Sequence, residues 1–211
     1  MDHDREKKYL EYYAKALLET LFPNEFFGII MDESPDLRMG ENCGIEVTRA
    51  MFDNQGQAGG ILNHIKGQDI NQIDQRYLKT MDRLKAKVIT RPDGIICGYY
   101  DQSMKNKAYF DEILQAYEKK KKLHFLTPQT DLFIYPPLAN IDGWLGRDVI
   151  EECFNELSAD PSNPFAHVMI YEEPTLYLYE IKKKRMTFRR GTIGEIQACK
   201  EAANEYSGWS A

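Results

Sequence analysis

The chain has 211 residues, with 27 Lys and Arg against 33 Asp and Glu, a formal net charge of −6 and 43% hydrophobic residues. A chain of this length sustains one well-buried core, no apolar run nears the roughly 20 residues that cross a bilayer, and the acidic total excludes coating of nucleic acid by net charge alone. Asp2, Asp4, Arg5, Glu6 and Lys7 lead into no apolar stretch, which argues against a secretory signal, and Cys43, Cys97, Cys153 and Cys199 stand too far apart for a zinc pair, so reduced thiols in a cytoplasmic protein are expected.

Residues 4–21 hold no Gly or Pro and set Leu10, Tyr13, Ala14, Leu17 and Leu21 on one helical face, ended by Pro23. The apolar residues 26–31 are too short for a helix and read as a buried strand, and two more strands follow at 34–39 and 43–50. From 53 to 106 the chain turns rich in Gln, Asn and Gly, which marks an insertion into a single domain spanning 1–211. One helix is expected there at 71–85, then a hairpin-like stretch at 88–100 bent at Arg91, Pro92, Asp93 and Gly94.

A helix over 107–121 presents Ile113, Leu114 and Tyr117 and leads to a strand at 131–135 stopped by Pro136 and Pro137. Asp142 is placed to cap a helix over 144–157, two final strands follow at 167–171 and 175–181, and a helix over 193–206 closes the chain. The fold class is α/β (α+β), with a central mixed sheet flanked by helices.

The stretch from Ser34 to Ala50 carries the chemistry. Gly40, Glu41 and Asn42 suit a three-residue turn, because Gly and Asn tolerate positive φ. A turn centred on Glu41 sets Asp36 opposite Glu46, and alternation puts Leu37, Met39, Cys43, Ile45 and Val47 on the apolar face while Asp36, Arg38, Gly44, Glu46 and Thr48 share the other. Two carboxylates facing each other repel unless a cation lies between them, and hard divalent ions such as Mg²⁺ take one or two protein carboxylates and leave positions for phosphate and water. Without that cation, the same pattern describes a polar strand face turned to solvent.

Asp36 after Pro35, a ten-residue gap, and Gly44, Ile45, Glu46, Val47 and Thr48 in an apolar strand resemble the PD-(D/E)xK nuclease superfamily, the restriction-endonuclease-like fold. Its core order of helix, three-stranded meander, helix and strand is similar to residues 4–50 and 107–135. The resemblance implies that Asp36 and Glu46 hold Mg²⁺ (or Mn²⁺), and that the residue at Thr48 belongs to the catalytic set. The family's lysine is missing at Thr48, and threonine brings no positive charge to water or phosphate.

Members of this superfamily often add a glutamate from the first helix. Glu11 lies about 110° from the centre of the apolar face and looks round its edge, Glu19 lies nearly opposite that face, and Glu6 falls within it. For a displaced lysine the second core helix offers Lys119, Lys120 and Lys121, and the insertion offers Lys79 and Lys85. Lys120 continues the Ile113/Tyr117 face and is the first choice.

A basic segment over 182–190, including Lys183, Arg185 and Arg189, suits phosphate contacts, or else balances nearby acids. No histidine pair, P-loop or nucleophile-elbow motif occurs. The expectation is a divalent-metal-dependent nuclease acting on nucleic acid, DNA before RNA, with no membrane partner. A non-catalytic module of the same fold and an unrelated α+β binding protein are the alternatives.

Overall fold

The computed structural model describes residues 3–50, 53–101, 106–123, 125–136 and 147–208. In chain order these form α1 (His3–Leu21), β1 (Ile30–Met31), β2 (Leu37–Met39), β3 (Cys43–Arg49), α2 (Asp53–Ile65), α3 (Gln75–Arg83), β4 (Ala86–Thr90), β5 (Ile96–Asp101), α4 (Asn106–Lys121), β6 (Gln129–Tyr135), α5 (Arg147–Ala159), β7 (His167–Glu172), β8 (Thr175–Glu180), β9 (Arg185–Arg190) and α6 (Ile193–Ser207). Seven strands make one mixed sheet in the order β1-β2-β3-β6-β7-β8-β9, and β4 and β5 pair apart from it. β3, β6 and β7 run parallel, and the other neighbours in the large sheet are antiparallel. The expected α+β class with a helix-flanked mixed sheet is what the chain adopts.

Alternation along β6 explains why the sheet is covered on both sides. Phe133 and Tyr135 enter a cluster with Leu17 and Leu18 of α1 and Ile196 of α6. Leu132 and Ile134 enter the opposite cluster with Ile113 of α4 and Phe154 of α5. The unbroken apolar run Leu132 to Tyr135 is the mark of a two-sided interior strand, and each fully buried apolar side chain in it contributes roughly 1.5–3 kcal/mol through removal from water. α6 lies along α1, with Tyr206 stacked on Tyr12 at 4.4 Å between ring centres.

The N-terminal strand is shorter than expected. Only Ile30 and Met31 pair with β2, because Gly28 adopts φ +67 and turns the run, so that Phe26 and Ile29 are buried while Phe27 is 83% exposed. The strand expected over 34–39 begins at Leu37, since Pro35 has no N–H to give and the Asp36 carbonyl accepts from Asp32 N at 3.1 Å, which closes a turn.

Within residues 53–106, α2 was not legible, because its Gly and Asn residues disfavour helix in isolation. Tertiary packing overrides that preference, with Ala58 and Ile65 buried against Met81, Ile73 and Ile96. The helix expected over 71–85 is trimmed to α3, since Asp74 accepts from Arg76 N as its N-cap and Lys85 turns left-handed at φ 57. β4 and β5 form the expected hairpin.

β9 is a third closing strand where two were expected; its Arg residues hide the alternation that pairs it with β8, and charge on an edge strand discourages further pairing. The helix expected over 144–157 extends to Ala159, whereas the Asp142 cap, Trp144 and Pro137 lie outside the described residues. All four cysteines are free, three of them buried. Among the described residues no helix is long and apolar enough to cross a membrane.

Near the start of the parallel strands, Asp131 is 1% exposed and accepts from both His167 N and the His167 ring Nδ1, each at 3.0 Å. The Cys43 thiol also points at it, 3.7 Å away, and burial pushes that thiol up to about 12. The hydrogen bond to Asp131 raises His167 above its ordinary 6.5 against the opposing effect of burial, with Glu180 adding to the rise and Lys183 opposing it. A raised imidazole adds stability that is complete below the unfolded value and is lost as pH rises through the folded one. Urea midpoints should therefore fall as pH climbs above 6.5, and His167→Gln should remove that fall; an unchanged slope in the variant would assign the dependence elsewhere.

Candidate active site

The β2–β3 hairpin forms in the expected register, with Leu37 opposite Ile45 and Met39 opposite Cys43, and Gly40 at the turn has φ +63. Asp36 directly precedes β2 and stands on the Glu46 side of the hairpin. Neither acid is solvent-facing: Asp36 is 6% exposed and Glu46 8%. Gly44 is part of the reason. A Cβ there would lie 2.5 Å from Pro35 Cγ and 2.6 Å from Thr127 Oγ1, so only glycine lets the proline ring settle against β3 and hold the next residue, Asp36, inward.

One carboxylate oxygen of Asp36, Oδ2, accepts the Val47 N–H at 2.9 Å, which ties the acid to β3 independently of its charge. Lys120, at the end of α4, reaches over the hairpin. Its Nζ lies 2.6 Å from Glu46 Oε2 and 3.5 Å from Asp36 Oδ2, with the side chain only 17% exposed. The ammonium thus occupies the space between the acids where sequence reasoning demanded a positive charge.

Glu11 completes the cleft from α1, buried at 7% exposure. Two hydroxyls fix the helix on either side of it: Tyr135 donates to the Leu10 carbonyl at 2.8 Å, and the Tyr13 and Tyr171 hydroxyls share a hydrogen bond of 2.9 Å. Burial, and then the charge of Asp36, push the Glu11 carboxyl up to about 7, and Lys7 pulls the other way. Lys7, one turn earlier on α1, places Nζ 3.2 Å from Glu11 Oε1 and 3.5 Å from Asp36 Oδ1. Burial lowers the Lys7 ammonium, but its two acidic neighbours outweigh that and raise it.

The structure therefore brings together Asp36, Glu46, Glu11 and Lys120, and adds Lys7, which sequence reasoning overlooked. The i, i+4 spacing of Lys7 and Glu11 was the available signal. Thr48 sits on β3 opposite Ile134, half-buried, beyond Glu46. Glu6 binds Arg49 at 2.9 Å, and Glu19 pairs with Lys15 and accepts from Ile29 N. Lys121 turns instead to Asp160, whose carboxyl also accepts from the Tyr117 hydroxyl at 2.7 Å.

The basic segment lies apart. β9 is separated from β3 by β6, β7 and β8. Lys183 and Arg185 both pair with Glu180, and the Arg189 guanidinium sits 5.7 Å from the Phe22 ring centre, on the α1 side of the sheet.

The donors in the cleft are hard carboxylate oxygens, which suit Mg²⁺ or Mn²⁺ bound through one or two protein acids with water completing the sphere. Among the described residues no group of three or more His, Cys, Asp or Glu side chains is gathered as a ready cage. The acids are instead neutralised by ammonium groups, and Glu11, held at about 7, exchanges a proton near neutrality.

The raised Glu11 value means that ionising this residue costs stability as pH climbs from 4.5 to about 7. In chelator-treated protein, Glu11→Gln should give a stability gain that is absent below 4.5 and complete above about 7. Urea unfolding across that range reads it, and a pH-independent difference would show that Glu11 is not the strained acid. Comparison with protein-family models, with curated proteins and with solved structures finds no match to this chain.

Proposed function

We propose that the protein is a divalent-metal-dependent nuclease that hydrolyses phosphodiester bonds of nucleic acid. The observation that carries this reading is the Lys120 ammonium within 4 Å of both Asp36 and Glu46 in a buried cleft. A non-catalytic module would have no need to bury three acids and aim a lysine at two of them. Such burial costs several kcal/mol per ion before pairing. The order α1, β1-β2-β3, α4, β6, with β6 parallel to β3, supports the resemblance to the PD-(D/E)xK superfamily over that part of the chain.

Asp36 and Glu46 would hold the ion, Mg²⁺ or Mn²⁺, which supplies Lewis acidity toward a water and a phosphate oxygen. Asp36 is fixed for this by the Val47 N–H, which ties one of its oxygens to β3 independently of its cationic neighbours. Lys120 supplies the positive charge that Thr48 lacks, positions the attacking water and steadies the negative charge that grows on the phosphate. Glu11, with its value near 7, holds or releases a proton at the edge of the same cleft.

The test is cleavage of single- and double-stranded DNA and RNA with Mg²⁺ or Mn²⁺. Asp36→Ala should abolish metal-dependent cleavage while the protein stays folded, and retained activity would remove the hairpin from the mechanism. Lys120→Met should lower the single-turnover rate on the order of 10²-fold, the scale of one lost charge-stabilising group, with substrate affinity nearly unchanged. Equal rates in that variant and the wild type would remove Lys120 from the mechanism, and no cleavage by the wild type under any of these conditions would favour the module reading.

A further inference from the structure

The cleft contains two ammonium groups, and the proposed hydrolysis uses one. Asp36 lies between them, with Lys120 on Oδ2 and Lys7 on Oδ1. Their environments differ: the Lys120 side chain is 17% exposed and hemmed in between α4 and the hairpin, whereas that of Lys7 is 58% exposed. Lys7 is therefore the outer cation, at the mouth of the cleft, held by Glu11 Oε1 and Asp36 Oδ1.

A divalent ion on Asp36 competes with Lys7 for that carboxylate, since two cations repel at such distances. Lys120 has little room to leave. Lys7 has solvent on its open side and a long flexible stem that swings outward at small cost. Its released ammonium then stands at the rim beside the acids.

Resting on the nuclease reading, we infer that Lys7 is a substrate-binding residue that contacts a phosphate of the nucleic-acid backbone beside the scissile bond, and does so only when the acids hold a divalent ion. Nucleic-acid affinity and ion occupancy are thereby coupled through one side chain: without the ion, Lys7 is spent on Glu11 and Asp36; with it, Lys7 faces the phosphate. The coupling also prevents the cleft from gripping a strand it is not equipped to cut.

The experiment measures binding of a labelled oligonucleotide by fluorescence anisotropy, with Ca²⁺ and with chelator, for wild type, Lys7→Met and Lys7→Arg in the full chain. With Ca²⁺ at 0.1 M salt, Lys7→Met should weaken binding roughly tenfold and reduce the salt slope by about one, the signature of one phosphate contact. In chelator it should bind as the wild type does, and Lys7→Arg should retain most of the affinity under both conditions. Mn²⁺ affinity, followed by electron paramagnetic resonance, should be equal or tighter in Lys7→Met.

A loss of equal size with and without Ca²⁺ would make Lys7 a general surface charge, and weakened Mn²⁺ binding would make it a positioning residue for the acids; either result overturns the inference. No effect with Ca²⁺ while the wild type cleaves would overturn it and leave the nuclease reading standing. An ion-dependent Lys7 contact in a wild type that cleaves none of the substrates would support the inference and sink the catalytic reading.

Discussion

Two ionised carboxylates cannot be buried side by side without a cation, and that constraint organises the cleft. Asp36 and Glu46 come from neighbouring positions on one hairpin, so their repulsion is built into the register of β2 and β3. Burial between the hairpin and α4 multiplies it, because water no longer screens the pair. Lys120 answers it directly, and the price of its own burial is offset by two acidic partners in place of one. Once that ammonium is fixed, the end of α4 is fixed with it, and so is the crossover that joins β3 to the parallel strand β6.

The position of α1 follows from a second set of interactions. Its apolar face would tolerate small rotations against the sheet, but the Tyr135 hydroxyl holds the Leu10 carbonyl and Tyr171 holds Tyr13. Glu11 lies between these anchors, and Lys7 lies one turn before it. A one-residue slip of the helix would rotate both by about 100° and remove them from the cleft. Through these hydrogen bonds Tyr135 and Tyr171 set the side-chain geometry of the acidic site.

Much of this was legible from residue order because it depends on local periodicities. The turn at Gly40 fixed the opposition of Asp36 and Glu46, and the 3.6-residue repeat through Ile113 and Tyr117 aimed Lys120 inward. What escaped depended on tertiary context. α2 is a poor helix by composition and exists through packing of Ala58 and Ile65. β9 hides its alternation among arginines, and Glu180 engages both Lys183, three residues on, and Arg185, its partner across the β8–β9 hairpin. The first strand failed where a single left-handed glycine, Gly28, interrupts an apolar run. Lys7 was missed because its exposed position on a helix resembles that of any solvated lysine until the fold brings Asp36 to it.

The separations along the chain have an entropic consequence. Asp36 and Glu46 meet through a turn a few residues long, whereas Lys120 is 74 residues from Glu46 and 84 from Asp36. Closing a loop on that scale costs about 2–3 kcal/mol more than closing the hairpin turn. A hairpin over residues 36–46 taken alone holds the two acids together without their common counter-ion, and is an electrostatically frustrated fragment. Its charges balance only when residues 53–106 have been spanned and the end of α4 is docked, so an intact acid cluster reports a contact made across the sequence and not along it.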